Sequence, residues 1–220
     1  MTEFLAIEGG RIAYEVAGDG PLIVLSPGIG DSRQVFRFLA PELAHSGFRV
    51  ASADLRGHGD SSVGAWKVIS RTDVAGDLLA LIRHLDGGPA VIVGSSFSGG
   101  AATIAAATAP ELVAGIIELD PVTRKAGFSI TGLFRVRRYR RATGLLTRVI
   151  VLRSLKAWMK YLDVAYPQKP VDYEAYMSAL RSRLSEPGRM AEFLKTLKTS
   201  AADAGDQLGG RGGGDGGRPA

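Results

Sequence analysis

Residues 90–100 read Ala90-Val-Ile-Val-Gly94-Ser95-Ser96-Phe97-Ser98-Gly99-Gly100, and the order of residue types in this stretch decides the fold. Ala90 to Gly94 begins with a continuous apolar run, the pattern of a strand buried on both faces. Phe97 to Ala109 is rich in alanine, which suits a helix lying close against a sheet. Between them a tight turn carries Ser96 at its tip. Such a strand–turn–helix lifts a hydroxyl clear of the sheet. Small residues two before and two after it, Gly94 and Ser98, let strand and helix pack closely. The next backbone N–H and the helix N-terminus then face any negative charge that develops there. Ser98 departs from the glycine of a G-x-S-x-G pattern but keeps the position small. Taken alone, the stretch also fits a plain Gly/Ser-rich turn such as a phosphate-binding loop.

On the N-terminal side, strand-like and helix-like patterns alternate. Phe4 to Ile7 and Arg11 to Val16 flank Gly9-Gly10 and predict an antiparallel hairpin. Leu22 to Leu25 predicts a second doubly buried strand, and Arg49 to Asp54 a further one. Gln34 to Ser46 carries Val35, Phe36, Leu39 and Leu43 at helical spacing. Thr72 to Leu85 repeats Val74, Leu78, Leu81, Ile82 and Leu85 on one stripe. Ala114 to Leu119 completes a run of strands with intervening helices. This order predicts an α/β fold, a mostly parallel sheet with helices on both faces.

After Pro121 the rhythm changes. Residues 1–121 form the expected core, and 122–200 an expected all-helical lid or cap. In the latter, Leu145, Val149, Leu152 and Leu155 make one stripe, Tyr173, Tyr176, Met177 and Leu180 another, and Ala191 to Lys198 a third piece. Phe134, Trp158, Tyr161, Tyr166, Tyr173 and Tyr176 suggest an apolar acyl or aromatic pocket, or the packed core of this region. From Gly205 to Gly217 there are 8 of the chain's 29 glycines. Such sequence buries too little apolar area to offset its ordering entropy, so 201–220 is expected to be disordered.

The formal net charge is +5, yet Pro121 to Leu162 holds 11 Lys or Arg and no Asp or Glu. The basic character therefore belongs to one segment, densest from Arg135 to Arg141. An anionic substrate, a membrane surface or nucleic acid suits such a run, and so does a solvated helix face near acidic neighbours. No nucleic-acid-binding signature accompanies it, so no nucleic-acid partner is expected. The 220 residues include no cysteine, which excludes disulfides, thiolate zinc sites and thiol nucleophiles. Neither a metal nor a cofactor is expected. The start lacks a signal-peptide pattern and no run is long enough to span a membrane. A cytoplasmic protein is the expectation.

Two further segments join the first. Leu25-Ser26-Pro27-Gly28-Ile29-Gly30-Asp31 is a glycine-lined loop after the third strand, able to supply a second N–H, from Ile29. Asp54-Leu55-Arg56-Gly57-His58-Gly59-Asp60-Ser61 follows the fourth strand at the same sheet edge. With these three motifs in order, the chain resembles the α/β-hydrolase superfamily of the serine-nucleophile type, over residues 1 to about 200. The D-x-R-G-x-G-x-S turn, the loop after the third strand and the nucleophile elbow carry the resemblance. It implies Ser96 as nucleophile, the N–H groups of Ile29 and Phe97 as oxyanion hole, and a small-molecule substrate with an ester-like carbonyl. Pro27 stands where the family has a loop histidine, which is not the catalytic base there.

The resemblance also exposes a gap. The family orders its triad Ser, then Asp or Glu, then His, and no histidine follows Ser96. His45 and His84 lie in helix patterns, and His58 sits in a turn whose motif role is structural. Asp120 follows the sixth strand, where some members keep the acid; before Pro121 it also suits a turn. The expectation is a C-terminally truncated or frameshifted chain without its last two strands, with the Gly-rich tail in their place. Loss of a triad histidine lowers turnover by about six orders of magnitude. Very low activity is therefore expected, with a non-catalytic ligand-binding protein as the alternative. The sixth strand would then be an open apolar edge, prone to self-association.

Overall fold

Apolar runs on consecutive segments need cover on two sides, and the chain provides it by alternating strands with helices. The computed structural model of the protein describes residues 1–62, 69–120, 153, 156, 160, 168–186 and 188–189. The elements are β1 (Glu3–Ile7), β2 (Gly10–Ala17), β3 (Leu22–Ser26), a 3-10 turn (Arg33–Phe36), α1 (Leu39–His45), β4 (Arg49–Ala53), α2 (Arg71–His84), β5 (Ala90–Ser95), α3 (Phe97–Thr108), a second 3-10 turn (Pro110–Leu112), β6 (Val113–Leu119) and α4 (Tyr173–Leu184). The sheet order is β1-β2-β4-β3-β5-β6. β1/β2 and β2/β4 are antiparallel. The pairs β3/β4, β3/β5 and β5/β6 are parallel. This is the mostly parallel α/β sheet that the alternation predicts.

Strand periodicity sends successive side chains to opposite faces, and the two faces are covered by different helices. Leu22, Val24, Ala51 and Ile92 pack with Val74, Leu78 and Ile82 of α2 and Ala101 and Ala105 of α3. Ile23, Leu25, Val50 and Val93 pack on the other face with Phe36, Leu43 and Ala44. All five residues of β3 are buried, as its unbroken apolar run requires. Ser70 caps α2: its Oγ accepts from the Asp73 N–H at 3.1 Å, and the Asp73 carboxylate accepts from the Ser70 N–H at 2.7 Å. This box starts the helix at Arg71, next to the expected Thr72.

One helix pattern divides. Gln34 to Ser46 becomes a 3-10 turn followed by α1, with the break at Arg37 and Phe38. Pro41 explains it. The proline has no N–H to donate and its ring would clash with the Arg37 carbonyl in a continuous helix. Starting α1 at Leu39 places Pro41 in the first turn, where it is tolerated.

β6 lies at the sheet edge, and Ile116, Ile117 and Leu119 are 37%, 51% and 40% exposed. The stripe Tyr173, Tyr176, Met177 and Leu180 forms the buried side of α4. The basic run 135–141, the stripe from Leu145 to Leu155, the piece 191–198 and the Gly-rich tail lie outside the described residues. Among the described residues, no helix is long and apolar enough to cross a membrane.

Candidate active site

Parallel pairing brings the ends of β3, β4, β5 and β6 to one edge, and the motif residues all emerge there. The register sets Ser95 against Leu119. One residue on, the Ser96 N–H donates to the Leu119 carbonyl at 2.8 Å. Ser96 has φ 51° and ψ −110°, a conformation that non-glycine residues rarely occupy and that stores strain. The sharp reversal requires strand and helix to approach closely at Gly94. A Cβ there would fall 2.4 Å from the Ser98 carbonyl oxygen and 2.7 Å from the Gly99 nitrogen. Phe97 opens α3, so its N–H has no acceptor within the helix.

The loop after β3 presses against this turn. A Cβ added to Gly28 would lie 3.2 Å from the Ser96 Cβ and 3.8 Å from its Oγ. The Asp31 N–H donates to the Gly28 carbonyl at 3.2 Å, and Gly30 has φ 86°. That is the positive third-residue φ of a type II turn, which glycine supplies without strain. The Ile29 N–H, inside this turn, donates to no backbone carbonyl among the described residues. Ser98 is fully buried. Its hydroxyl donates to the Pro27 carbonyl at 2.6 Å and accepts from the Ser26 hydroxyl at 2.9 Å.

The Asp54 turn is an internal strut. The Asp54 carboxylate accepts the N–H groups of Arg33 at 2.6 Å and Asp60 at 2.9 Å, and pairs with the Arg33 guanidinium. Gly59 must be glycine, because a Cβ would stand 2.1 Å from a carboxylate oxygen of Asp54. Arg56 runs to Asp77 of α2, with its Nε donating at 2.6 Å. Ser61 donates to the Asp54 carbonyl at 3.1 Å and accepts the Ala13 N–H at 2.8 Å. Burial pushes the Asp54 carboxyl up, against the opposing pull of Arg33 and the two N–H groups. For Arg33, burial weakens the cation, but Asp54, Glu15 and Asp60 outweigh it and hold the guanidinium protonated. Nothing in the sequence marks Arg33 as this buried partner; only the folded loop shows it.

Two of the three histidines contact other groups, and the third is exposed. His45 ends α1 and is exposed. His84 ends α2, and its Nε2 lies 3.0 Å from the Tyr14 hydroxyl. Leu85 beside it accepts from Arg49 at the start of β4, so His84 sits at the sheet edge opposite Ser96. His58 shares the edge of Ser96 but is buried, with Nδ1 3.2 Å from the Arg56 carbonyl. Burial lowers its pKa to about 4. Asp120 follows β6 directly, next to the carbonyl that holds Ser96, with φ 48° and an exposed side chain. Among the described residues, no group of three His, Asp or Glu side chains could hold a metal ion.

Helix α4 docks on the same edge through contacts the sequence does not announce. The Tyr176 hydroxyl donates to the Asp31 carboxylate, Arg37 pairs with Asp172, and Arg183 pairs with Asp60. The Arg189 guanidinium donates to the Ser61 carbonyl at 2.8 Å. Hydrogen bonding and charge from Arg37 hold the Asp172 carboxyl below its ordinary range.

Residues 21–154 match the family model described as the alpha/beta hydrolase fold, which is more than half of the chain. A stretch of 117 residues is 36% identical to an uncharacterized protein of Mycobacterium tuberculosis, covering 52% of this chain and 33% of that protein. A stretch of 118 residues is 34% identical to the 2-(acetamidomethylene)succinate hydrolase of Mesorhizobium japonicum, covering 52% and 41%. The matched part thus spans well under half the length of these curated relatives. Among solved structures, an alpha/beta hydrolase fold protein from Burkholderia ambifaria has a TM-score of 0.74 at 21% identity, covering 97% of this chain and 76% of that one. At that identity the likeness speaks for the fold alone.

Proposed function

The chain belongs to the alpha/beta hydrolase family, and on that premise we propose that it is a serine hydrolase of ester-like carbonyl substrates whose nucleophile is Ser96. The observation that carries this reading is the strained φ of 51° at Ser96, beside a loop turned so tightly that Gly28 nearly touches it. Strain of this kind persists where the surrounding structure enforces it, and it concentrates at reacting residues. In the proposed reaction the Ser96 Oγ attacks the carbonyl carbon. The N–H groups of Ile29 and Phe97 stabilise the tetrahedral oxyanion. The alcohol leaves with a proton, and water then releases the acid from the acyl-enzyme.

The base is the weak part of the site. His58 Nδ1 lies against the Arg56 carbonyl and His84 Nε2 against the Tyr14 hydroxyl, and His45 lies at the opposite sheet edge. In this reading Asp120, directly after β6, serves as the acid, and no histidine follows it within the 220 residues. Turnover is therefore expected to be very low, by about six orders of magnitude relative to a complete triad. Incubation with p-nitrophenyl acetate should leave acetyl on the Ser96 peptide, and Ser96→Ala should abolish it. Absence of acetyl on the Ser96 peptide after prolonged incubation overturns the role of Ser96. Robust Ser96-dependent turnover overturns the incomplete base.

The contacts of His58 and His84 with other groups favour a second reading, a non-catalytic protein that binds a small molecule at this edge. A ligand-dependent rise in melting temperature without product release supports it. The exposed β6 edge adds a proposal of self-association between copies, read as concentration-dependent mass in sedimentation. The cytoplasmic placement belongs to this proposal too, and cell fractionation tests it.

A further inference from the structure

The second residue after Ser96 departs from the glycine of the motif, and its side chain reaches the loop after β3. The Ser98 hydroxyl is fully buried and points away from solvent, so it cannot bind substrate directly. It spans instead from the first turn of α3 to the loop after β3. Its hydrogen goes to the Pro27 carbonyl at 2.6 Å, and its lone pair takes the Ser26 hydrogen at 2.9 Å. Pro27 immediately precedes Gly28, which abuts Ser96, and Ile29, whose N–H faces no backbone partner among the described residues. A glycine at position 98 would leave the Pro27 carbonyl without this bond. Together with the Ser26 hydroxyl, the Ser98 hydroxyl ties the loop after β3 to the first turn of α3 through side chains.

We infer that Ser98 is a positioning residue: it fixes the loop 27–30, and so the Ile29 N–H, against Ser96 and the Phe97 N–H. The inference rests on the proposed serine-hydrolase reading for its catalytic consequence, though the clamp itself is a property of the fold. A misplacement of about 1 Å in such a donor lowers a rate by about a hundredfold. Ser98→Ala keeps the volume close and removes only the hydroxyl. Ser26→Ala removes the second hydroxyl of the pair but leaves the Ser98 bond to Pro27 intact, so it serves as the control for a buried polar contact as such.

Two measurements on the full chain test this. The rate of Ser96 acetylation by p-nitrophenyl acetate should fall by about tenfold to a hundredfold in Ser98→Ala, with KM within about twofold. It should stay near that of the parent in Ser26→Ala. Amide hydrogen exchange should speed up in residues 28–31 of Ser98→Ala and stay unchanged in β3 and β5. Unchanged exchange in the loop overturns the inference, as does an equal loss of acetylation in the two variants. If the parent and Ser96→Ala react alike, the hydrolase reading fails, and the exchange data still decide whether the clamp exists.

Discussion

The Tyr176 hydroxyl of α4 donates to the Asp31 carboxylate of the loop after β3, across 145 positions of sequence. Asp31 closes the same turn that presents Ile29 beside Ser96. The contact thus links a helix from the region expected to cap the core directly to one half of the proposed oxyanion hole. It also explains why Asp31, which reads as an ordinary turn residue, sits with its carboxylate toward α4.

Removing that hydroxyl isolates the link. Tyr176→Phe keeps the buried ring and deletes one hydrogen bond to a charged acceptor, so stability should fall by about 1–2 kcal/mol. Urea unfolding followed by circular dichroism measures it. Exchange should rise in α4 and the loop 28–31 and stay level in β3. An unchanged midpoint would show that the hydroxyl is equally well solvated when free.

Arg33 and Asp54 should behave as an inseparable pair. Their side chains are 4% and 0% exposed, so removing the cation leaves a buried carboxylate with only the backbone N–H groups of Arg33 and Asp60 to offset its charge. Arg33→Met alone should destabilise the protein by about 3–5 kcal/mol, enough to unfold a marginal domain. Adding Asp54→Asn should restore part of the loss, because no buried charge then remains. A double-mutant cycle in urea reads the coupling, and simple additivity would refute the pairing.

Acid should unfold the protein partly through His58. Its pKa in the folded protein is about 4, lowered chiefly by burial, against an ordinary 6.5. Below pH 6.5 the unfolded chain takes up the proton and the folded chain does not, so stability declines as pH drops from 6.5 to 4 and this contribution levels off below. The linked loss is about 3 kcal/mol. His58→Gln has no such group. Its stability should therefore decline less than that of the parent over this window, in melts at pH 7, 5 and 4. Parallel declines would contradict the buried neutral state of His58.

Strain at Ser96 should be visible as stability recovered on relaxing it. Ser96→Gly accepts a positive φ freely and should raise stability by about 1 kcal/mol while abolishing acetylation. Differential scanning calorimetry gives the first effect and mass spectrometry the second. A destabilised glycine variant would mean that the turn is comfortable for serine and that the argument from strain fails.

Sequence by itself determined the parts that depend on local pattern. The unbroken apolar runs 22–25 and 90–93 suited strands covered on both faces, and their alternation with helices pointed to parallel pairing. Gly94 was legible as a position that must stay small for strand and helix to pack closely, whereas the lack of room at Gly59 shows only against the folded Asp54. Tertiary structure alone decided which distant groups meet. Arg33 in Asp54's carboxylate, Ser98 under Pro27, Tyr176 on Asp31 and the commitment of His58 to Arg56 have no periodicity or spacing that announces them. Each depends on a few ångströms of loop path, and a hydrogen bond or ion pair forms or vanishes over that distance, whereas burial of an apolar stripe tolerates it.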